Sequence, residues 1–277
     1  MKIAVVGLGL IGGSLAKTIK KHTQHTVIGI DKDKNVLDKA LSLNSIDFAG
    51  DEENLKEADL TIISLYPDII PKFIEKNKDN FKDGSVIIDT AGTKKNLCER
   101  VSETELSNAV FVGAHPMAGK EVSGFDNSSD NLFDNASFIF TPIEENEKLN
   151  SFLKDFALSI GFKKTVFTTP ENHDKIIAFT SQIAHVLACA YVLSPTSLNH
   201  FGFSAGSFKD VSRVAKINEE LWSQLFVENS EALCEELNIL INNLISFRDM
   251  IESNDIENLK MTLKKGRETK ELLDNDN

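Results

Sequence analysis

"KIAVVGLGLIGGSLAKTIKK", Lys2 to Lys21, is the stretch that decides the fold. A β-branched apolar run enters a turn with glycines at 7, 9 and 12, and the chain leaves that turn as an amphipathic helix. In this spacing each glycine has a mechanical task. Gly7 makes the tight turn, Gly9 lets backbone approach a pyrophosphate, and Gly12 permits close helix–strand contact. The helix start offers free N–H groups and a partial positive charge to phosphates. Leu8, Leu10 and Ile11 therefore join Gly7, Gly9 and Gly12 as the candidate cofactor-binding loop.

The next apolar run, "HTVIGID", ends in Asp31, roughly 20 residues beyond the last glycine, where a carboxylate bonds the 2′-hydroxyl of an adenine ribose. A glycine turn used only for packing would not explain Asp31. A carboxylate there repels a 2′-phosphate, so the expected cofactor is NAD rather than NADP, with Lys32 and Lys34 nearby tempering that repulsion.

Further along, "LTIISL", "SVIIDT", "AVFVGA", "SFIFTP" and "KKTVFTT" alternate with helical patterns. Most of these runs are nearly continuous in apolar residues, as strands buried on both faces of a parallel sheet are. The spacing predicts an α/β N-terminal Rossmann domain, doubly wound with a mostly parallel sheet, over residues 1–168. After Pro170 no strand pattern remains, which predicts an all-α C-terminal domain over 169–277. There Leu221, Trp222, Leu225, Phe226, Leu233, Leu237, Leu240, Ile241, Leu244 and Ile245 predict one long amphipathic helix. No Gly/Ser-rich linker separates the halves, so they are expected to pack closely, and the final "LLDNDN" is expected to fray.

The chain has 277 residues, 41% of them hydrophobic and 26% charged, the make-up of an ordinary globular protein. A formal charge of −12 argues against a nucleic-acid or anionic-membrane partner, so an anionic substrate needs a local basic cluster. Apolar runs are read as too short to span a membrane, and the start shows no cleavage-type leader, which points to a cytoplasmic address. Cys98, Cys189 and Cys234 are odd in number and far apart, which fits neither a disulfide framework nor a metal site.

"VGAHPMAGKEVSG", Val112 to Gly124, places His115 just past a strand, on the rim where ligands of a doubly wound sheet sit. A histidine there suits either a satisfied loop group or a base of near-neutral pKa.

Taken in order, "GLGLIGGS", "HPMAGKEVSG", "HDKIIAFTSQIAHVLA" and "FKDVSRVAKINEELW" resemble the successive signatures of prephenate/arogenate dehydrogenases, the tyrosine-biosynthesis family, over about four-fifths of the chain. The resemblance implies NAD-dependent removal of hydride from prephenate with loss of CO₂, giving 4-hydroxyphenylpyruvate. It also implies a helical domain that builds a homodimer, with no further domain after it. His115 matches the family's catalytic histidine, which hydrogen-bonds the substrate hydroxyl. Arg213 matches an arginine that binds a substrate carboxylate, with Asp210 three residues earlier placed to orient it. His185, Gln182, Glu121 and Trp222 match positions around the substrate. Alternative readings stand beside these: a surface helix pair for Arg213 and Asp210, a core side chain for Trp222, an interior histidine for His185.

Three departures from the family pattern stand out. In "DTAGTK" Gly92 occupies the place of a serine that orients the catalytic histidine and helps seat nicotinamide, with Thr93 one residue on. In "SQIAH" Gln182 replaces a histidine and Ala184 a proline, which leaves arogenate as an alternative substrate. In "KINEE" Asn218 takes an acidic position. Two other readings are a β-hydroxyacid dehydrogenase, whose lysine base only Lys175 could supply, and a non-catalytic NAD-binding regulator.

Overall fold

The computed structural model describes residues 1–106, 109–144 and 146–275. Among them eight strands form one sheet: β1 (Lys2–Val6), β2 (Thr26–Ile30), β3 (Phe48–Gly50), β4 (Leu60–Ile63), β5 (Val86–Asp89), β6 (Val110–Pro116), β7 (Ser137–Pro142) and β8 (Lys164–Phe167). Their order is β3-β2-β1-β4-β5-β6-β7-β8, and every neighbouring pair is parallel except β6 with β7. The first six strands thus follow the doubly wound dinucleotide order, whose crevice opens where the order reverses, between β1 and β4.

Five helices accompany the sheet: α1 (Leu10–His22), α2 (Lys34–Ser42), α3 (Ile70–Lys76), α4 (Lys95–Ser102) and α5 (Glu147–Ser159). Side chains along a strand alternate between faces, which divides the core in two. Ile3 and Val5 of β1, with Ile62 and Ile88, pack with Leu15 and Ile19 of α1. Ala4 and Val6, with Ile63 and Ile87, pack with Ile70, Ile74 and Leu97 on the other face. Each fully buried leucine or isoleucine contributes about 1.5–3 kcal/mol over an exposed one.

β6 and β7 are antiparallel because the chain between them is a loop rather than a crossover helix. That loop folds back onto α1. The Ser129 N–H donates to Ser14 Oγ at 2.9 Å and Lys17 Nζ to the Ser128 carbonyl at 2.9 Å. β3 is absent from the strand pattern of the sequence because it has three residues, and Phe48 is exposed.

After β8 the described residues are helical: α6 (Pro170–Ile177), a π-turn (Ala178–Gln182), α7 (Ile183–Val192), α8 (Gly206–Ser212), α9 (Glu219–Glu228), α10 (Ser230–Glu252) and α11 (Ile256–Asn275), with short 3₁₀ turns. The single long helix expected over Leu221 to Ile245 is interrupted. Asn229 separates α9 from α10, and its buried amide donates to the Asp174 carbonyl at 2.8 Å and to Gln182 Oε1 at 2.7 Å. Of the final residues expected to fray, α11 takes in those up to Asn275; Asp276 and Asn277 lie outside the described residues.

Pro170 to Val192 is a continuous helical stretch long and apolar enough, by length and composition alone, to cross a membrane, which the sequence reading did not anticipate. It nevertheless carries His173, Asp174 and Gln182, all buried against protein. The chain divides into two compact units, Met1–Ser230 and Glu231–Asn277, and every group described below as part of the site lies in the first.

Candidate active site

The glycine turn is built as its spacing requires. Gly7 has φ +85°, and a Cβ there would stand 2.5 Å from the Ser64 carbonyl oxygen. A Cβ on Gly12 would stand 1.9 Å from the Gly7 carbonyl oxygen, so α1 starts against the turn itself. Gly9 differs: beyond its own chain neighbours nothing lies within 4 Å of where its Cβ would be, so the chain's own packing does not demand glycine there. The open space lies before the N-terminus of α1, which has no capping side chain and no acid in its first turn. That is a cradle for a phosphate group.

Asp31 is tied to the same turn. Its carboxylate accepts the Leu8 N–H at 2.7 Å and the Asp33 N–H at 2.9 Å. Leu8 contributes that backbone group while its side chain is buried, and Leu10 and Ile11 are half-buried at the start of α1. Across the crevice Thr90 Oγ1 donates to Ser64 Oγ at 3.2 Å.

Beyond β5 the chain builds a buried charge frame. Lys94 Nζ pairs with Asp89 Oδ2, and both side chains are fully buried. Burying two charges is expensive unless their remaining hydrogen-bonding capacity is met. Asp89 meets it by also accepting the Ala91 N–H and the Ala114 N–H, each at 2.8 Å. The second of these bonds holds the residue directly before His115.

His115 sits at the carboxyl end of β6, partly buried. Its Nδ1 lies 3.0 Å from Nε2 of His173, and the rings meet edge to face with centroids 5.2 Å apart. His173 Nδ1 in turn lies 2.7 Å from Asp174 Oδ1. Burial pushes the His115 pKa well below the ordinary histidine value, and the Lys94 ammonium acts the same way; His173 would do so only in its charged form, which its own burial disfavours. His115 is therefore neutral at pH 7, the form that can accept a proton.

His185 stacks on Trp222 with centroids 3.7 Å apart, and its Nδ1 donates to the Ser181 carbonyl at 2.9 Å. Arg213 Nη1 bonds Glu121 Oε1 at 2.5 Å, both side chains being substantially exposed. The partner of Arg213 is thus Glu121, 92 residues away in sequence, rather than Asp210, because α8 ends at Ser212 and Arg213 opens a 3₁₀ turn. His185 feels both the Glu121 and Arg213 charges, which places the four residues in one neighbourhood; burial remains the larger influence and lowers its pKa.

The π-turn explains how one helix serves both places. His173 and His185 are twelve positions apart, roughly 120° around an uninterrupted α-helix. A π-turn takes in one extra residue and reduces that offset to roughly 20°.

Gln182, expected beside the substrate, is buried instead. Its Nε2 donates to the Leu225 carbonyl at 3.0 Å and its Oε1 accepts from Asn229, so neither end of the amide is presented to a ligand. The loss of histidine at this position is thus absorbed in packing. Gly92 lies against Leu225, whose methyl carbons would be 3.2 and 3.3 Å from a Cβ. Thr93 does not replace the missing serine: its hydroxyl donates to Glu228 Oε2 at 2.6 Å.

The sequence reading had not singled out Asp89, Lys94, His173, Asp174 or Glu228. For His173 and Asp174 no local signal was available, because Glu171, Asn172 and Lys175 beside them give the first turns of α6 an ordinary polar composition.

Comparison with known proteins bears on this geometry. Residues 15–164 match the family model described as prephenate dehydrogenase, nucleotide-binding domain, and residues 169–265 that described as prephenate dehydrogenase, dimerization domain. The glycine turn precedes the first matched segment, so its assignment rests on its own geometry. The prephenate dehydrogenase of Bacillus subtilis is 30% identical over 93% of this chain and 72% of its own length. The arogenate dehydrogenase structure from Synechocystis is 27% identical, with a TM-score of 0.84 over 99% of this chain and 100% of that one. The prephenate dehydrogenase from A. aeolicus, in complex with hydroxyphenyl propionate and NAD+, is 25% identical, with a TM-score of 0.87 over 99% and 98% of the two chains.

Proposed function

The chain belongs to the prephenate dehydrogenase family of oxidoreductases, and on that footing we propose that it catalyses the oxidative decarboxylation of prephenate to 4-hydroxyphenylpyruvate. The observation that carries the proposal is His115: a neutral imidazole at the carboxyl end of β6, on the rim where the doubly wound sheet binds its ligands.

The cofactor is NAD. Gly7, Gly9 and Gly12 with the α1 N-terminus would hold its pyrophosphate and Asp31 its adenine ribose, and the crevice edge at Ser64, Thr90 and Gly92 would receive its nicotinamide. When bound, NAD supplies the acceptor for the hydride that leaves the carbinol carbon of the substrate. His115 hydrogen-bonds the 4-hydroxyl and takes its proton as the carbon is oxidised. The bond to the ring carboxylate then breaks, CO₂ departs, and its electron pair completes the aromatic ring. The proton returns to the phenolic oxygen, so protons and electrons balance. Arg213 offers a guanidinium to the side-chain carboxylate, suited to two parallel bonds, with Glu121 holding it from one side. His185 and Trp222 form the stacked wall beside it.

Arogenate is the second reading, supported by the Synechocystis likeness and by the uncharged, buried Gln182 at the position where the family pattern has a histidine. A β-hydroxyacid reading fares worse, because Lys175 is exposed on the side of α6 opposite the buried His173 and Asp174. A division at residues 168/169 into cofactor and substrate/dimerisation parts, a homodimer and a cytoplasmic address complete the proposal. The dimer is supported by Phe201 and Phe203, each 92% exposed, and separately, within the second unit, by exposed Ile239, Ile241, Leu244 and Ile251. The address is supported by three unpaired cysteines.

The test is NADH absorbance with prephenate and with arogenate. Turnover of prephenate at least tenfold more efficient supports the proposal; preference for arogenate moves the chain to the second reading, and turnover of neither overturns both.

A further inference from the structure

Building on the reading of His115 as the base, we propose that His173 and Asp174 are positioning residues: they fix which ring nitrogen of His115 carries the proton, and they stabilise the imidazolium formed when it takes a second.

The assignment follows from the far end of the chain of bonds. Asp174 is held in place because its two carboxylate oxygens accept the Lys94 and Lys95 N–H groups at 2.7 and 2.8 Å. An ionised carboxylate only accepts, so the nitrogen of His173 that lies 2.7 Å from it, Nδ1, is the donor. In a neutral imidazole the other nitrogen then carries the lone pair. Burial of His173 favours that neutral form. His173 Nε2 is therefore an acceptor, and the His115 nitrogen 3.0 Å away, Nδ1, is the donor. His115 Nε2 is left with its lone pair, on the side of the ring away from His173. With both rings neutral, the donors and acceptors fit in this direction only.

The consequence is chemical. When Nε2 of His115 takes the substrate proton, the new charge is one hydrogen bond from His173 and two from the Asp174 carboxylate. The other charged groups around it are Lys94, which opposes a cation, and Asp89, which the Lys94 ammonium pairs with. The pair of residues on α6 thus offsets the Lys94 field at the moment the base is charged, as a buried carboxylate does for a catalytic imidazole elsewhere. It also explains how the site manages without the serine: Gly92 has no hydroxyl and that of Thr93 is bonded to Glu228. Orientation comes from the helical side of the cleft.

The test uses the full-length enzyme with NAD and prephenate, and three variants: His115→Asn, His173→Leu and His173→Gln. For His173→Leu we expect kcat to fall roughly 10- to 100-fold, with both KM values within about threefold, because an orienting group and not a binding group is lost. The acid limb of its kcat/KM profile should move down by about one pH unit, since the protonated form of His115 loses its acceptor. His173→Gln, whose side-chain oxygen can accept from His115 Nδ1, should recover part of kcat. In the wild-type enzyme, ¹⁵N NMR of the histidine rings at pH 8 should find the proton of His115 on Nδ1. An acid limb that moves up instead would mean that His173 acts as a like charge, and would overturn the proposal. An unchanged kcat and limb in His173→Leu, or a proton on Nε2 of His115, would do the same. If His115→Asn is nearly inactive while His173→Leu behaves as wild type, only this proposal fails; if His115→Asn keeps its rate and acid limb, the base reading fails and this one with it.

Discussion

Asp174 caps a helix that starts 79 residues before it: one oxygen accepts the Lys94 N–H at 2.7 Å, the other the Lys95 N–H at 2.8 Å, at the start of α4. Lys94, the N-cap residue, makes no side-chain cap of its own, since an ammonium has no lone pair to accept an N–H; it donates to Asp89 instead. The helical region therefore finishes a helix of the dinucleotide fold. Asp174→Ala strands one buried and one part-buried backbone donor and the His173 ring, so it should lower stability by about 2–4 kcal/mol. Asp174→Asn, which keeps an acceptor, should lose less. Urea unfolding monitored at Trp222 reads both values; equal, small losses would mean that water replaces the cap.

Gly92→Ser supplies the hydroxyl missing from the family pattern. The nearest atoms to the new Cβ are the methyl carbons of Leu225, at 3.2 and 3.3 Å, which a small rotation relieves. Since His115 Nδ1 already has His173 as its partner, kcat should change by less than about threefold. A larger gain, measured with saturating NAD and prephenate, would show that orientation of His115 limits the native enzyme.

How legible was this in the sequence? The glycine turn, Asp31 and the strands β1, β2 and β4 to β8 were readable because local chemistry determines them: positive φ, close approach, apolar continuity. Three features were not. β3 is short and exposed, so no apolar run announces it. The break at Asn229 exists because its amide is needed by Asp174 and Gln182, partners about 50 residues away. Lys94 and Asp89 look like ordinary surface residues until tertiary packing buries them, and His173 gains meaning only once β6 brings His115 to it. At Asn229 and in the buried frame what decided the outcome was a long-range partner, and no local pattern encodes that.

Arg213→Ala should separate binding from stability. The ion pair with Glu121 is exposed, and such pairs contribute about 0–1 kcal/mol, so the unfolding midpoint should scarcely move. Loss of the carboxylate partner should raise KM for prephenate by roughly tenfold or more while KM for NAD stays within about twofold. Equal losses for both substrates would assign Arg213 a structural role.

Stability should depend on pH in a stated direction. Burial lowers the pKa of both His115 and His173, so in the unfolded chain each takes a proton near its ordinary value of about 6.5, before the folded state does. Below that value the unfolded state binds more protons, and stability is lost as pH falls through the folded pKa values. Glu228 acts oppositely: burial raises its pKa, and its contribution grows as pH falls. The two histidines should prevail between pH 7 and 5.5, lowering the melting temperature as pH drops, and His173→Leu should flatten that slope. A slope identical to wild type would mean that His173 titrates alike in both states.

The central claim is that His115 is the base of an NAD-dependent dehydrogenase, and the pH profile of kcat for His115→Asn tests it most directly. Asn preserves some hydrogen bonding but cannot take the proton. The expected result is a fall in kcat of roughly 10²–10⁴, with the acid limb gone and KM for NAD near its wild-type value. A variant that keeps near-full kcat and the same acid limb would contradict the account and return His115 to the role of a satisfied rim histidine.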